Sequence, residues 1–158
     1  MELVEMSKKW LDQSAKHKYS YHFTWLGRPI IQLPQDILAL QEIIWETKPD
    51  IIIETGIAHG GSICFSASML ALLDMEDLQQ QTRKLDSSTI ERKVIGIDID
   101  IRNHNRRAIK CHPMAHKITM IEGSSIERSI FERVEKLVPK GSKVLVMLDS
   151  NHTEEHVL

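Results

Sequence analysis

A short apolar run breaks into glycines and then into a helical pattern: Ile51-Ile52-Ile53-Glu54-Thr55-Gly56-Ile57-Ala58-His59-Gly60-Gly61-Ser62. No other stretch restricts the fold as much. The run Ile51–Glu54, bounded by turn residues, reads as a strand. The apolar spacing over residues 62–73 reads as a helix. A strand that enters a helix through glycines is the opening unit of a parallel sheet with crossover helices. The missing side chains let a ligand approach the backbone, and the helix start presents free N–H groups. The spacing is ExGxxxGGS rather than the GxGxxG of the dinucleotide fingerprint.

Three more apolar runs follow at Lys93–Asp98, Lys117–Glu122 and Lys143–Leu148, with helical stretches at about 102–111 and 126–138. Strand and helix alternate, and the strands lack polar alternation. They are therefore expected to be parallel and covered on both faces. Upstream, Pro34 opens a helix with Asp36 in its first turn and Ile37, Leu40, Ile43 and Ile44 on one face; Pro49-Asp50 ends it. Leu3, Met6, Trp10 and Leu11 suggest an amphipathic helix over 2–18. Residues 19–33 read as an irregular arm, and 74–92 as a fraying helix end and exposed loop. The expected organisation is an N-terminal helix and arm at 1–33 and a sheet domain at 34–158.

The 158 residues are 42% hydrophobic, enough for one domain with a core. The net charge of -2 carries no basic excess, so no nucleic-acid partner is expected. Cys64 and Cys111 show no metal-ligand spacing and read as free thiols. The charged N-terminus lacks the apolar core of a signal segment, and no run nears the ~18 apolar residues that a membrane span needs. A cytoplasmic protein is the expectation.

In an open parallel sheet, ligands gather at the carboxyl ends of the strands. Asp98 or Asp100, after the second strand, suits the hydroxyls of a ribose; Asp98 is favoured because it lies nearer the strand end. Ser124 or Ser125, after the third, is expected to cap the next helix where an adenine would lie. Asp149, after the fourth, is either an oxygen ligand for a hard divalent cation or an N-cap. His152 is a candidate base or ligand, and His156 shares its helix face at four residues' distance.

Five separated blocks, in order, carry a resemblance. They are Trp25-Leu26-Gly27-Arg28-Pro29-Ile30-Ile31-Gln32-Leu33-Pro34-Gln35-Asp36; Lys48-Pro49-Asp50 before Ile53-Glu54-Thr55-Gly56; Ala58-His59-Gly60-Gly61-Ser62; Val94-Ile95-Gly96-Ile97-Asp98-Ile99-Asp100-Ile101-Arg102; and Leu148-Asp149-Ser150-Asn151-His152-Thr153. From about residue 20 onward the chain resembles the cephalosporin hydroxylase / rhamnosyl O-methyltransferase family. That resemblance implies a Rossmann-like class I methyltransferase fold with sheet order 3-2-1-4. It implies S-adenosyl-L-methionine (SAM) as cofactor, Mg²⁺ assistance, and a sugar or secondary-metabolite hydroxyl as acceptor.

By the same resemblance Glu54, Gly56, His59, Gly60, Gly61 and Ser62 match the first SAM motif. Asp98 matches the ribose position, Ser124 lies near the adenine, Asp149 matches a magnesium ligand, and His152 a polar position beside the active site. Asn151 stands where relatives often carry an acid. Relatives also continue past the fourth strand with a fifth strand and further acidic ligands. The chain as given is thus expected to be C-terminally incomplete, weak or inactive in methyl transfer, and either marginally stable or a homo-oligomer that pairs its open strand edge. The alternatives are a non-catalytic SAM-binding fragment and, against the missing GxGxxG, a nicotinamide-dependent oxidoreductase.

Overall fold

Three consecutive isoleucines place the centre of the sheet. The computed structural model describes residues 2–80 and 91–150. In chain order the elements are α1 (Leu3–Lys16), β1 (Phe23–Trp25), β2 (Arg28–Ile30), α2 (Pro34–Thr47), β3 (Ile51–Thr55), α3 (Gly61–Gln80), β4 (Lys93–Asp98), α4 (Asn103–Lys110), β5 (Ile118–Glu122), α5 (Arg128–Leu137) and β6 (Val144–Leu148). Short 3-10 turns occupy Tyr19–His22 and Pro113–Lys117. The four long strands form one parallel sheet in the order β5-β4-β3-β6. This is the expected 3-2-1-4 order, with the glycine-rich turn and Asp149 at the same sheet end. No helix among the described residues is long and apolar enough to cross a membrane.

One sheet face packs Ile52 and Val94 against Ile63, Phe65, Leu70 and Leu73; most of this cover comes from α3. The other face packs Ile51, Ile95, Ile97 and Ile121 against Ile130 and Val134 of α5. β6 departs from the expectation of two covered faces. Val144, Val146 and Leu148 alternate outward and remain 38–54% exposed. They pair in register with Ile51, Ile53 and Thr55, so it is the α5 face that lies open at this edge.

Four further expectations from sequence need correction. Residues 19–33 are not irregular. β1 and β2 form an antiparallel hairpin whose two-residue turn, Leu26-Gly27, has both φ values positive (45° and 82°), the twist a tight hairpin requires. The hairpin docks on α3: Trp25 packs edge-on against Phe65, and its Nε1 donates to Ser68 Oγ at 3.0 Å. Second, α3 does not fray after residue 73 but continues to Gln80. Its carboxylates hold it down. Asp74 and Asp77 both bind Arg92 Nη1, Asp74 also binds Lys117 Nζ, and Arg92 is buried rather than in an exposed loop. The remainder of that expected loop, residues 81–90, lies outside the described residues.

Third, neither Ser124 nor Ser125 caps α5. A turn closed by Glu127 N–H to Ser124 O comes first, and Glu127 takes the cap position with no side-chain bond. Fourth, on α2, Ile44 is buried and Ile37 and Leu40 pack on the core, but Ile43 is 45% exposed. The stripe of α1 buries no residue among those described.

Candidate functional site

The carboxyl ends of β3, β4 and β6 open into two adjoining chambers. The larger, of about 410 Å³, is lined by Thr55, Gly56, Ala58, Asp98, Gly123, Ser124, Ser125, Asp149 and Ser150. The smaller, of about 140 Å³, lies between the hairpin and the start of α3. Pro29, Ile31 and Gln32 line one side of it, and Gly56, His59, Gly61, Ser62 and Asp149 the other. Gly56, Ala58 and Asp149 are common to both.

The glycines are there for clearance. Gly56 has φ +94°, and a Cβ on it would sit 2.0 Å from the carbonyl oxygen of Asp149. A Cβ on Gly61 would meet Pro29 O at 2.2 Å, so α3 begins hard against the hairpin. Ala58 holds φ +44° with a side chain present, which costs about 1–2 kcal/mol and must be held in place by its surroundings.

Those surroundings are specific. Asp98 Oδ2 accepts from the N–H groups of Ile57 (2.8 Å) and Ala58 (3.0 Å), and its Oδ1 from Asp100 N–H (3.1 Å). Asn105 Nδ2 donates to Ala58 O at 2.9 Å, and Arg28 donates to His59 O through Nε at 3.0 Å and also through Nη2. The loop's donors and acceptors are thus gripped from opposite sides. Sequence reasoning found Asp98 but missed Arg28 and Asn105. Neither lies in a strand-end motif, and only the fold brings hairpin and α4 onto the loop.

Gly56, Asp98, Ser124 and Asp149 line the larger chamber; His59, Gly61 and Ser62 line the smaller. Gly60 is buried and closes the turn, donating to Ile57 O at 2.7 Å. Asp100 lines neither chamber. Glu54 is fully buried beneath the loop. Burial pushes its carboxyl up to about 7, hydrogen bonds from Ser62 and Ser66 oppose that, and the charge of Asp149 adds to it. His152, Asn151 and His156 lie outside the described residues. Gln32 was also missed. Its Nε2 approaches Asp149 Oδ2 at 3.4 Å, and its buried Oε1 has no hydrogen-bond partner. Cys64 and Cys111 are free thiols; burial pushes Cys64 up to about 11, which leaves it inert.

The family model for "Rhamnosyl O-methyltransferase/CmcI" matches residues 17–158. A rhamnosyl O-methyltransferase of Mycobacterium leprae (strain TN) is 27% identical over 138 residues, covering 85% of this chain and 51% of the relative. A solved CmcI in its Mg-SAM form superposes with TM-score 0.57 at 18% identity, over 84% of this chain and 48% of that one. A CmcI with SAH (S-adenosylhomocysteine) gives TM-score 0.50 at 19% identity, over 83% and 54%. The chain spans about half the length of the relatives it matches. With residues 17–158 matched and the sheet order of a class I methyltransferase in place, the chain belongs to the rhamnosyl O-methyltransferase/CmcI family.

Proposed function

We propose that this chain carries the SAM-binding part of an O-methyltransferase that acts on a sugar or secondary-metabolite hydroxyl. The observation that carries the reading is the pair of joined chambers at the carboxyl ends of β3, β4 and β6, with a glycine-rich loop between them. The residues present fit the cofactor. Gly56 and Gly61 let β6 and the hairpin close against the loop, which shapes the two chambers, and the larger chamber offers Asp98 and Ser124 as polar contacts for an adenosine. The smaller chamber, at the start of α3, suits the carboxylate of an amino-acid end. The family membership and the relatives' printed SAM and SAH forms support the same assignment.

SAM, when bound, supplies an electrophilic methyl on a sulfonium. The chain's own part is to hold that group and exclude motion, so that an acceptor hydroxyl can approach in line. Asp98 fixes the loop, Asp149 lines the junction of the two chambers, and His152 is the proposed base for the hydroxyl proton. A Mg²⁺ ion would take oxygen from Asp149. Among the described residues no three acidic, histidine or cysteine side chains converge there, so the rest of its six-oxygen shell would come from water and the acceptor, whose hydroxyl the ion would acidify. Calorimetric titration with SAH tests the proposal. Saturable binding of one SAH per chain, with none for NAD, is expected; no SAH binding at about 1 mM would overturn it.

A further inference from the structure

The Gly-rich loop is held in a way that sets the direction of one peptide. Ala58 O is bonded by Asn105 Nδ2. In a trans peptide the N–H points away from the C=O. His59 N–H therefore faces away from Asn105. Ala58 and His59 line the smaller chamber, whereas Asn105 and Arg28 line neither chamber. The clamp thus reaches the loop from residues that line neither chamber.

The clamp is itself tightly determined. Asn105 is 4% exposed and uses both ends of its carboxamide. Arg28 can only donate, so the atom it meets at 3.1 Å is Asn105 Oδ1, which turns Nδ2 toward Ala58 O. Arg28 then reaches His59 O with Nε and Nη2. Among the described residues no carboxylate forms a salt bridge with this guanidinium. Its partners are the two oxygens that fix the loop. The cation therefore acts on the Ala58–His59 peptide through Asn105: it polarises the carboxamide at Oδ1, whose Nδ2 bonds Ala58 O, and so strengthens His59 N–H of the same peptide.

We propose that Arg28, from the hairpin, and Asn105, from α4, are positioning residues that hold His59 N–H toward the smaller chamber as a donor to the carboxylate of the cofactor's amino-acid end. The inference rests on the SAM reading above. It adds that the N-terminal hairpin, and not the sheet domain alone, sets cofactor affinity.

The test compares two ligands on three proteins by calorimetry: SAH, and 5′-methylthioadenosine, which lacks the aminocarboxylate. On the wild-type chain both bind. Arg28→Lys keeps the charge but loses the fork, and Asn105→Ala releases Ala58 O. Each is expected to weaken SAH by about 10- to 100-fold, as for a hydrogen bond to a charged group, while leaving methylthioadenosine within about threefold. The His59 amide resonance should move on SAH addition in the wild type and not in the variants. Equal weakening of both ligands, or of neither, overturns the proposal, since a collapsed loop would also disturb Gly56 and Ala58 in the larger chamber. Because the two variants act from separate elements, a folding failure in one leaves the other to decide. A wild-type chain that binds neither ligand would instead overturn the SAM reading itself.

Discussion

Asp98 holds the glycine-rich loop as well as standing at the proposed ribose position. One oxygen holds the N–H groups of Ile57 and Ala58, and the other accepts from Asp100 N–H. Asp98→Ala should therefore lower SAH affinity and also destabilise the fold, by about 2–3 kcal/mol for the loss of its three charge-assisted bonds, partly replaced by water. Asp100→Ala, whose side chain lines neither chamber, should do neither. Urea unfolding beside calorimetry separates the two effects; an Asp98→Ala protein of unchanged stability would mean that the loop does not depend on it. Glu54 makes a different prediction. Its carboxyl sits near 7 in the folded chain against 4.5 ordinarily. Below pH 4.5 both folded and unfolded states are protonated. Between 4.5 and about 7 the unfolded chain releases the proton and the folded chain keeps it, so this group's contribution to stability falls as pH rises, by about 3 kcal/mol in all. Glu54→Gln should remove that slope. Unfolding at pH 5 and pH 8 reads it as the change in the wild-type-minus-variant difference, and an identical difference at both pH values would refute it.

At the scale of elements, α3 shows how charge can extend a helix that apolar spacing says is over. Its first three turns bury Ile63, Cys64, Phe65 and Ala67, and these residues were legible as a helix. Beyond Leu73 the sequence turns polar, and the spacing carries no further signal. Yet Asp74 sits between Lys117 Nζ and Arg92 Nη1, and both cations are buried. Arg92 Nε also reaches Pro49 O at 3.3 Å. The reason lies in residues some 20 and 40 positions away, which no local pattern reports. The hairpin was missed for a related reason: three-residue strands give too little alternation to read, and the Leu26-Gly27 turn lacks the usual Asn-Gly signal. By contrast, the long parallel strands and the glycine-rich turn from Gly56 to Ser62 were legible because apolar runs and glycines are local signals, whereas the strand order came with the family resemblance. Asp74→Ala should remove the carboxylate that buried Lys117 and Arg92 share and leave Arg92 with Asp77. A loss of about 3 kcal/mol in urea unfolding is expected, the usual cost of breaking a buried pair from one side. A change below about 0.5 kcal/mol, the range of an ordinary surface substitution, would show that the network is only decorative.

For the molecule as a whole, the open side of the sheet is the feature with most consequence for behaviour in solution. β6 pairs with β3, and among the described residues nothing pairs its outer edge. On the α5 face, Val144, Val146 and Leu148 stand exposed, with Phe131 and Leu137 of α5 also exposed on the same chain. An unpaired strand edge beside exposed apolar side chains is a template for association. A chain of these 158 residues is therefore expected to self-associate as concentration rises. Val146→Lys places a charge in the middle of the exposed row, at a residue already 54% accessible, so it should cost the fold little while opposing pairing. Light scattering coupled to size exclusion measures the mass of both proteins across a concentration series. The wild type should move to larger species and the variant should remain monomeric, with melting temperatures of dilute samples nearly equal. A wild-type chain that stays monomeric up to about 1 mM, the upper end of the µM–mM range in which unpaired strand edges associate, would show that this edge is inert.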